Sequence, residues 1–168
     1  PREEARVARH HRRPLRDGLL ADPHCARLLG RLEPVGGVAL LERVDAERAG
    51  SYRYSQKAYL VQVFRRHAPV LLLDPLRIED FSGLSALLDG TEWIMQAAHN
   101  DLECLAEIGL QPITLFDTEL AGQLLGLERV GLAGLVETQL GYTMRKSHGQ
   151  ADWSQRPLKR SWLEYAAL

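Results

Sequence analysis

The pattern of apolar residues points to an α/β domain built on a mixed sheet. Strand-like runs come first and in quick succession, at residues 38–47, 58–65 and 69–76. Strands this close together form an antiparallel meander. From residue 78 onward, helix-periodic and strand-like stretches alternate, and that alternation favours parallel pairing. The run "PVLLLDPL" is almost continuously apolar, as expected of a strand covered on both faces. With 168 residues, 45% of them hydrophobic, the chain can bury one good core.

The elements follow in order. Residues 1–17 read as an arm, and residues 21–37 as a short helix closed by Gly36 and Gly37. "VALLERVDAE" is the first strand and "AYLVQVFR" the second, with "SYRYSQK" as the hairpin connection. After the third strand, residues 78–90 read as a helix closed by Gly90, and "TEWIMQAA" as a fourth strand. Residues 99–110 read as a helix with Asn100 as N-cap, Glu103 three residues later and Gly109 as its stop. Two more helices are expected at 115–127 and 131–141, then a polar, basic loop from Tyr142 to Arg160. "SWLEYAAL" starts a last helix with Ser161 and Glu164 in capping-box spacing. The expected division is an arm and short helix at 1–37 and one domain at 38–168.

Charge is nearly balanced, with Lys+Arg 21 against Asp+Glu 22, so the total excludes little. Its distribution says more: six arginines lie within residues 1–16, and the segment from Arg145 to Arg160 is basic. Such patches suit either solvated segments or a polyanionic partner. Cys25 and Cys104 match no metal-ligand spacing and point to a reducing compartment. No stretch approaches the roughly twenty apolar residues of a membrane helix. The arginine-rich start has no apolar segment behind it, so no secretory signal is read and a cytoplasmic monomer is expected.

One feature of the first strand is out of keeping with burial. Asp45 and Glu47 are separated by one small residue, so on a strand they point to the same face. Two carboxylates so placed repel and raise each other's pKa unless positive charge sits between them. A divalent cation such as Mg²⁺ resolves the conflict; a solvated face on an edge strand avoids it. Asp101 opens a helix after an apolar strand, either complementing the helix dipole or sitting at the carboxyl edge where α/β sheets build sites. Tyr165 alone reads as a half-buried aromatic, and Asp117 as a cap or turn residue.

In combination, "VDAE", "AAHNDLECL" and "LEYAAL", with "KAYLVQ", "LLLDPL", "LFDTELAGQLLGL" and "ADWSQRPL" between them, resemble the ribonuclease D branch of the DEDD 3′–5′ exonuclease superfamily. The resemblance covers about residues 38 to 168. It implies a ribonuclease-H-like fold, two divalent metal ions (Mg²⁺ or Mn²⁺), and removal of nucleotides from an RNA 3′ end, tRNA precursors by family analogy. Carried over, Asp45 and Glu47 match the first motif, Asp101 the second, and Tyr165 the tyrosine that marks the DEDDy subgroup. The three acids would hold metal, with two ions about 3.5–4 Å apart flanking the scissile phosphate. Tyr165 would orient the attacking water.

Arg145, Lys146, Arg156, Lys159 and Arg160 are the candidates for the nucleic-acid groove, with Trp153 either stacking on a base or packing beneath the loop. His99 and His148 read as surface residues. The family commonly has His where this chain has Gln96, and its third motif ends in an Asp that would fall just after Leu168. Two rival readings use the same fold: a DNA-directed proofreading-type exonuclease, and an inactive RNA-binding module. The retained acids and Tyr165 argue against the second.

Overall fold

In the computed structural model, the described residues are 41–49, 56–66, 68–144 and 148–167. The arm, the helix expected at 21–37, the centre of the first hairpin connection, Arg145 and Lys146 lie outside them. The chain runs β1 (Leu41–Arg48), β2 (Ala58–Arg65), β3 (Leu71–Leu73), α1 (Ser82–Leu88) and β4 (Glu92–Met95). A 3₁₀ turn (Ala98–Asn100), α2 (Leu102–Glu107), β5 (Thr114–Asp117), α3 (Thr118–Leu124), α4 (Leu132–Leu140) and α5 (Arg160–Ala166) follow.

The five strands form one sheet in the order β3-β2-β1-β4-β5. β1 pairs antiparallel with β2, and β2 with β3; β4 lies parallel to β1 on its other side, and β5 parallel to β4. The mixed sheet is therefore as expected, with the meander supplying one half and the helix–strand alternation the other. All three residues of β3 are buried although it is an edge strand.

Alternation along β1 and β2 divides the core in two. Val44, Ala46, Val61 and Val63 face one side, where Leu88 of α1 and Cys104 and Leu105 of α2 cover them. Tyr59, Leu60 and Leu72 face the other, under Trp153, Leu158, Trp162 and Ala166. Tyr59 and Leu60 share that side because the β1–β2 register skips Tyr59, pairing Glu47 with Leu60 and Arg48 with Ala58. A bulge of this kind puts two successive side chains on one face.

Four expectations need correction. Residues 114–117 form strand β5 rather than helix, so the helix expected at 115–127 begins only at Thr118. Four residues carry no periodicity of their own; pairing of Trp93 with Leu115 and of Ile94 with Phe116 makes the strand. Helix α1 begins at Ser82 rather than 78, after the Asp80 carboxylate has accepted hydrogen bonds from the Ser82 amide and hydroxyl, each at 2.8 Å. Asn100 lies inside the 3₁₀ turn and does not cap α2. Helix α5 begins at Arg160, so Ser161 is already helical and Glu164 accepts from Arg160 Nε at 3.0 Å instead of closing a capping box.

Candidate active site

The position of β1 explains the placement of its acids. It is the central strand, which removes the solvated-edge alternative. Its pairing with β4 ends at Arg43 and Ile94, while β1 itself continues to Arg48. Asp45 and Glu47 thus lie where β4 has turned away, on the face opposite Val44 and Ala46. The segment leaving β4 brings Asp101 back toward them. A strand that runs on past the end of its parallel neighbour opens a crevice at the carboxyl edge, where α/β sheets commonly bind ligands.

Electrostatics show how tightly these groups are gathered. Burial and the charge of Asp45 push the Glu47 carboxyl up to about 8, against a hydrogen bond from Gln62 Nε2 to Oε1 at 3.4 Å. Burial and Asp45 push Asp101 up to about 7, with the Arg48 guanidinium opposing. Asp45 is raised by the protein around it, although it keeps surface open to solvent; a hydrogen bond from its neighbour Ala46 N, at 3.0 Å, opposes the rise. Arg48 Nε lies 3.5 Å from Asp101 Oδ1. One arginine therefore partly offsets the charge of the three acids.

This donor set suits a hard divalent cation, since every ligand atom would be a carboxylate oxygen. Among the described residues no group of three His, Cys, Asp or Glu side chains already stands in a metal-holding arrangement. Asp101 is turned instead to Asp45 and Arg48.

Tyr165 approaches the same charges. Burial, then Glu47 and Asp45, raise its hydroxyl above the usual value. Its ring lies beside Trp153, with centroids 6.4 Å apart, and nearly perpendicular to His148, at 5.8 Å. A methyl group on Gly149 would lie 3.1 Å from the Tyr165 hydroxyl, so this glycine leaves room for it.

The expected groove residues divide. Trp153 is 0% exposed and packs against Trp162 at 5.4 Å, so no face is open to a base. Arg156 is also withdrawn from nucleic acid. Its Nε and Nη2 donate to the two Asp74 oxygens at 2.8 and 2.6 Å, and Nη2 also to Tyr59 O. Its Nη1 donates to Trp153 O and Gln155 O, so all five guanidinium donors are spent on protein. Lys159 and Arg160 remain on the surface, Lys159 beside the Trp162 ring at 5.0 Å.

Sequence reasoning missed Arg48, Asp74 and Gly149. An acid closing the apolar run "LLLDPL" was the available signal for Asp74, because a buried Asp needs a cation. Gln96 is engaged in packing the site's wall: Thr118 Oγ1 donates to its Oε1 at 2.5 Å, and its Nε2 donates to Glu119 Oε2 and Val130 O at 3.2 and 3.1 Å.

A mixed five-stranded sheet with acids gathered at the ends of adjacent parallel strands defines a ribonuclease-H-like domain. The chain belongs to the 3′–5′ exonuclease family, whose model matches residues 38–168. It is 36% identical over 128 residues to a ribonuclease D of Shewanella sp., covering 74% of this chain and 33% of that one. A protein from Bifidobacterium adolescentis superposes with a TM-score of 0.76 at 39% identity, covering 86% of this chain and 34% of the other. The Escherichia coli RNase D, described as an exoribonuclease involved in structured RNA processing, superposes at 0.69 with 29% identity, covering 86% and 37%. The chain spans about a third of the length of these relatives.

Proposed function

We propose that this chain is the catalytic domain of a metal-dependent 3′–5′ exoribonuclease that trims RNA 3′ ends, with tRNA precursors as its substrates. The observation that carries the reading is the gathering of Asp45, Glu47 and Asp101 near Tyr165, where burial raises every one of these groups and the charge of Asp45 adds to the rise at Glu47, Asp101 and Tyr165. The names of the relatives support RNA as the substrate. Asp45, Glu47 and Asp101 would hold two divalent ions, Mg²⁺ or Mn²⁺, in place of Arg48. Those ions supply the Lewis-acid charge that stabilises a phosphodiester under attack.

The chain's own residues do the rest. Trp153 and His148 fix the Tyr165 ring so that its hydroxyl can orient the attacking water toward the phosphorus. Released from Asp101, Arg48 becomes available to the phosphate backbone. Lys159 and Arg160 offer exposed cations to the strand entering the site, and Arg145 and Lys146 precede them in sequence. The enzyme is expected to act as a cytoplasmic monomer; among the described residues no helix is long and apolar enough to cross a membrane.

The test is polarity of attack. A 5′-labelled single-stranded RNA incubated with Mg²⁺ or Mn²⁺ should shorten into a ladder, a 3′-phosphate should slow the reaction strongly, and matched DNA should be cut more slowly. Cleavage of circular RNA would indicate an endonuclease, faster DNA digestion the proofreading type, and metal-independent RNA binding without turnover an inactive module.

A further inference from the structure

We infer that Asp117 is a positioning residue for the acidic site, its carboxylate holding the left-handed turn at Ala97–Ala98 from which Asp101 projects. The inference rests on the proposed reading of Asp101 as a cation ligand. Asp117 reads from the sequence as a cap or turn residue, and it is a cap: its Oδ1 accepts from Glu119 N at 2.8 Å and Leu120 N at 3.3 Å at the start of α3. The same carboxylate also reaches across to the neighbouring strand. Its Oδ1 accepts from Ala97 N at 3.1 Å and its Oδ2 from Ala98 N at 2.8 Å.

The segment it holds needs holding. Ala97 has φ 53° and ψ 49°, a conformation that a residue with a Cβ adopts reluctantly. The 3₁₀ turn builds directly on it, with Asn100 N donating to Ala97 O and Asp101 N to Ala98 O, each at 2.9 Å. Ala98 is buried, so the turn cannot shift without disturbing the core. Burial opposes ionisation of Asp117, yet the amides of Ala98, Glu119, Leu120 and Ala97 together keep its carboxyl below the ordinary value. Asp117 is thus an ionised acceptor for the amides that enter this turn. Within the turn, Asn100 Nδ2 also donates to Ala97 O at 3.2 Å, while Asp117 anchors it from the neighbouring strand.

Asp117→Asn separates the two roles. Asparagine caps helices as well as aspartate, so its amide oxygen can retain the α3 bonds. Its NH₂, however, would face the Ala98 N–H, and two donors cannot pair. On the full chain, Mn²⁺ binding measured by calorimetry should weaken about tenfold or more, the level typical when support behind a metal ligand is lost. Ala97→Gly alone should leave Mn²⁺ affinity within about twofold of wild type, because glycine adopts the left-handed turn unaided. Combined with Asp117→Asn, it should recover most of the loss.

Unchanged Mn²⁺ affinity in Asp117→Asn, or no recovery in the double variant, overturns the inference and leaves Asp117 a cap. A wild-type chain that binds no Mn²⁺ overturns the reading of the acids, and this inference with it. Should Asp117→Asn fail to fold alone, the double variant with Ala97→Gly, whose turn no longer needs the carboxylate, puts the same question. Mn²⁺ affinity within a few-fold of wild type is then expected, and a loss of about tenfold or more, or failure of the double variant to fold, overturns the inference.

Discussion

Replacing Arg156 with Met separates a structural arginine from a nucleic-acid contact. Asp74 is fully buried, and Arg156 supplies two of its hydrogen bonds, at 2.8 and 2.6 Å. Its other bonds hold Tyr59 O, Trp153 O and Gln155 O, joining the second strand to the loop that leads into the last helix. Methionine fills much of the space but leaves the Asp74 carboxylate, among the described residues, with the Leu76 amide at 3.1 Å and Arg77, exposed and 4.0 Å away. Removing one partner of a buried ion pair costs about 3–5 kcal/mol. A domain of this size loses about 2–4 °C of melting temperature per kcal/mol, so Arg156→Met should melt roughly 6–20 °C below wild type.

Thermal unfolding followed by circular dichroism measures this directly. Asp74→Asn added to Arg156→Met removes the uncompensated charge and should restore part of the loss, a coupling of about 1–3 kcal/mol. Lys159→Ala and Arg160→Ala, on exposed side chains, should each change stability by less than about 0.5 kcal/mol. If Arg156→Met melts with the wild type while its RNA affinity falls, the clamp is wrong and the groove assignment from sequence is right.

Three further outcomes follow from the site. Glu47 and Asp101 have folded values of about 8 and about 7, above their ordinary 4.5 and 3.8. The folded state therefore keeps protons that the unfolded chain releases between about pH 4 and pH 8, so stability must fall as pH rises through that window. Metal-free protein should lose about 2 kcal/mol between pH 5 and pH 8 once screening at the open side of the site is allowed for, and Mg²⁺ should restore it; a flat profile in denaturant titrations would sink this. Asp45→Asn should abolish metal-dependent cleavage, yet make the metal-free protein no less stable at pH 8, because Asp45 is the charge that raises both neighbours; retained wild-type cleavage rules out the ligand assignment. Gly149→Ala should push the Tyr165 hydroxyl aside by a few tenths of an ångström, lowering kcat several-fold with Mn²⁺ affinity unchanged; equal kcat would mean that the hydroxyl's position is not critical.

What the sequence reveals about this fold follows the range over which each element is determined. The second strand was legible to the residue, because "AYLVQVFR" carries its own β-prone side chains and is bounded by polar connections. The fifth strand was not. Residues 114–117 alternate between exposed and half-buried positions and run straight into a helix, so only β4 makes them a strand. The capping boxes failed for a related reason. Asn100 and Ser161 have the right neighbours, but the turn at Ala97 and the start of α5 at Arg160 come one or more residues earlier than spacing alone allows.

The same division runs through the site. Asp45 and Glu47 could be placed on one face from a two-residue period, and the structure keeps them there. Their meeting with Asp101 depended on the resemblance, since no local rule says which strand lies beside β1. Arg156 was misread because a basic residue in a polar loop looks solvated until its partner is known, and Asp74 lies 82 residues away. Asp74 itself carried the missing clue. A carboxylate at the end of "LLLDPL" is too costly to bury alone, so some cation elsewhere in the chain had to be withdrawn from the surface to meet it. Buried charges in a sequence therefore predict the loss of candidate binding residues as well as their presence. In this chain the arginine lost to the groove is the one that anchors the loop beneath Tyr165.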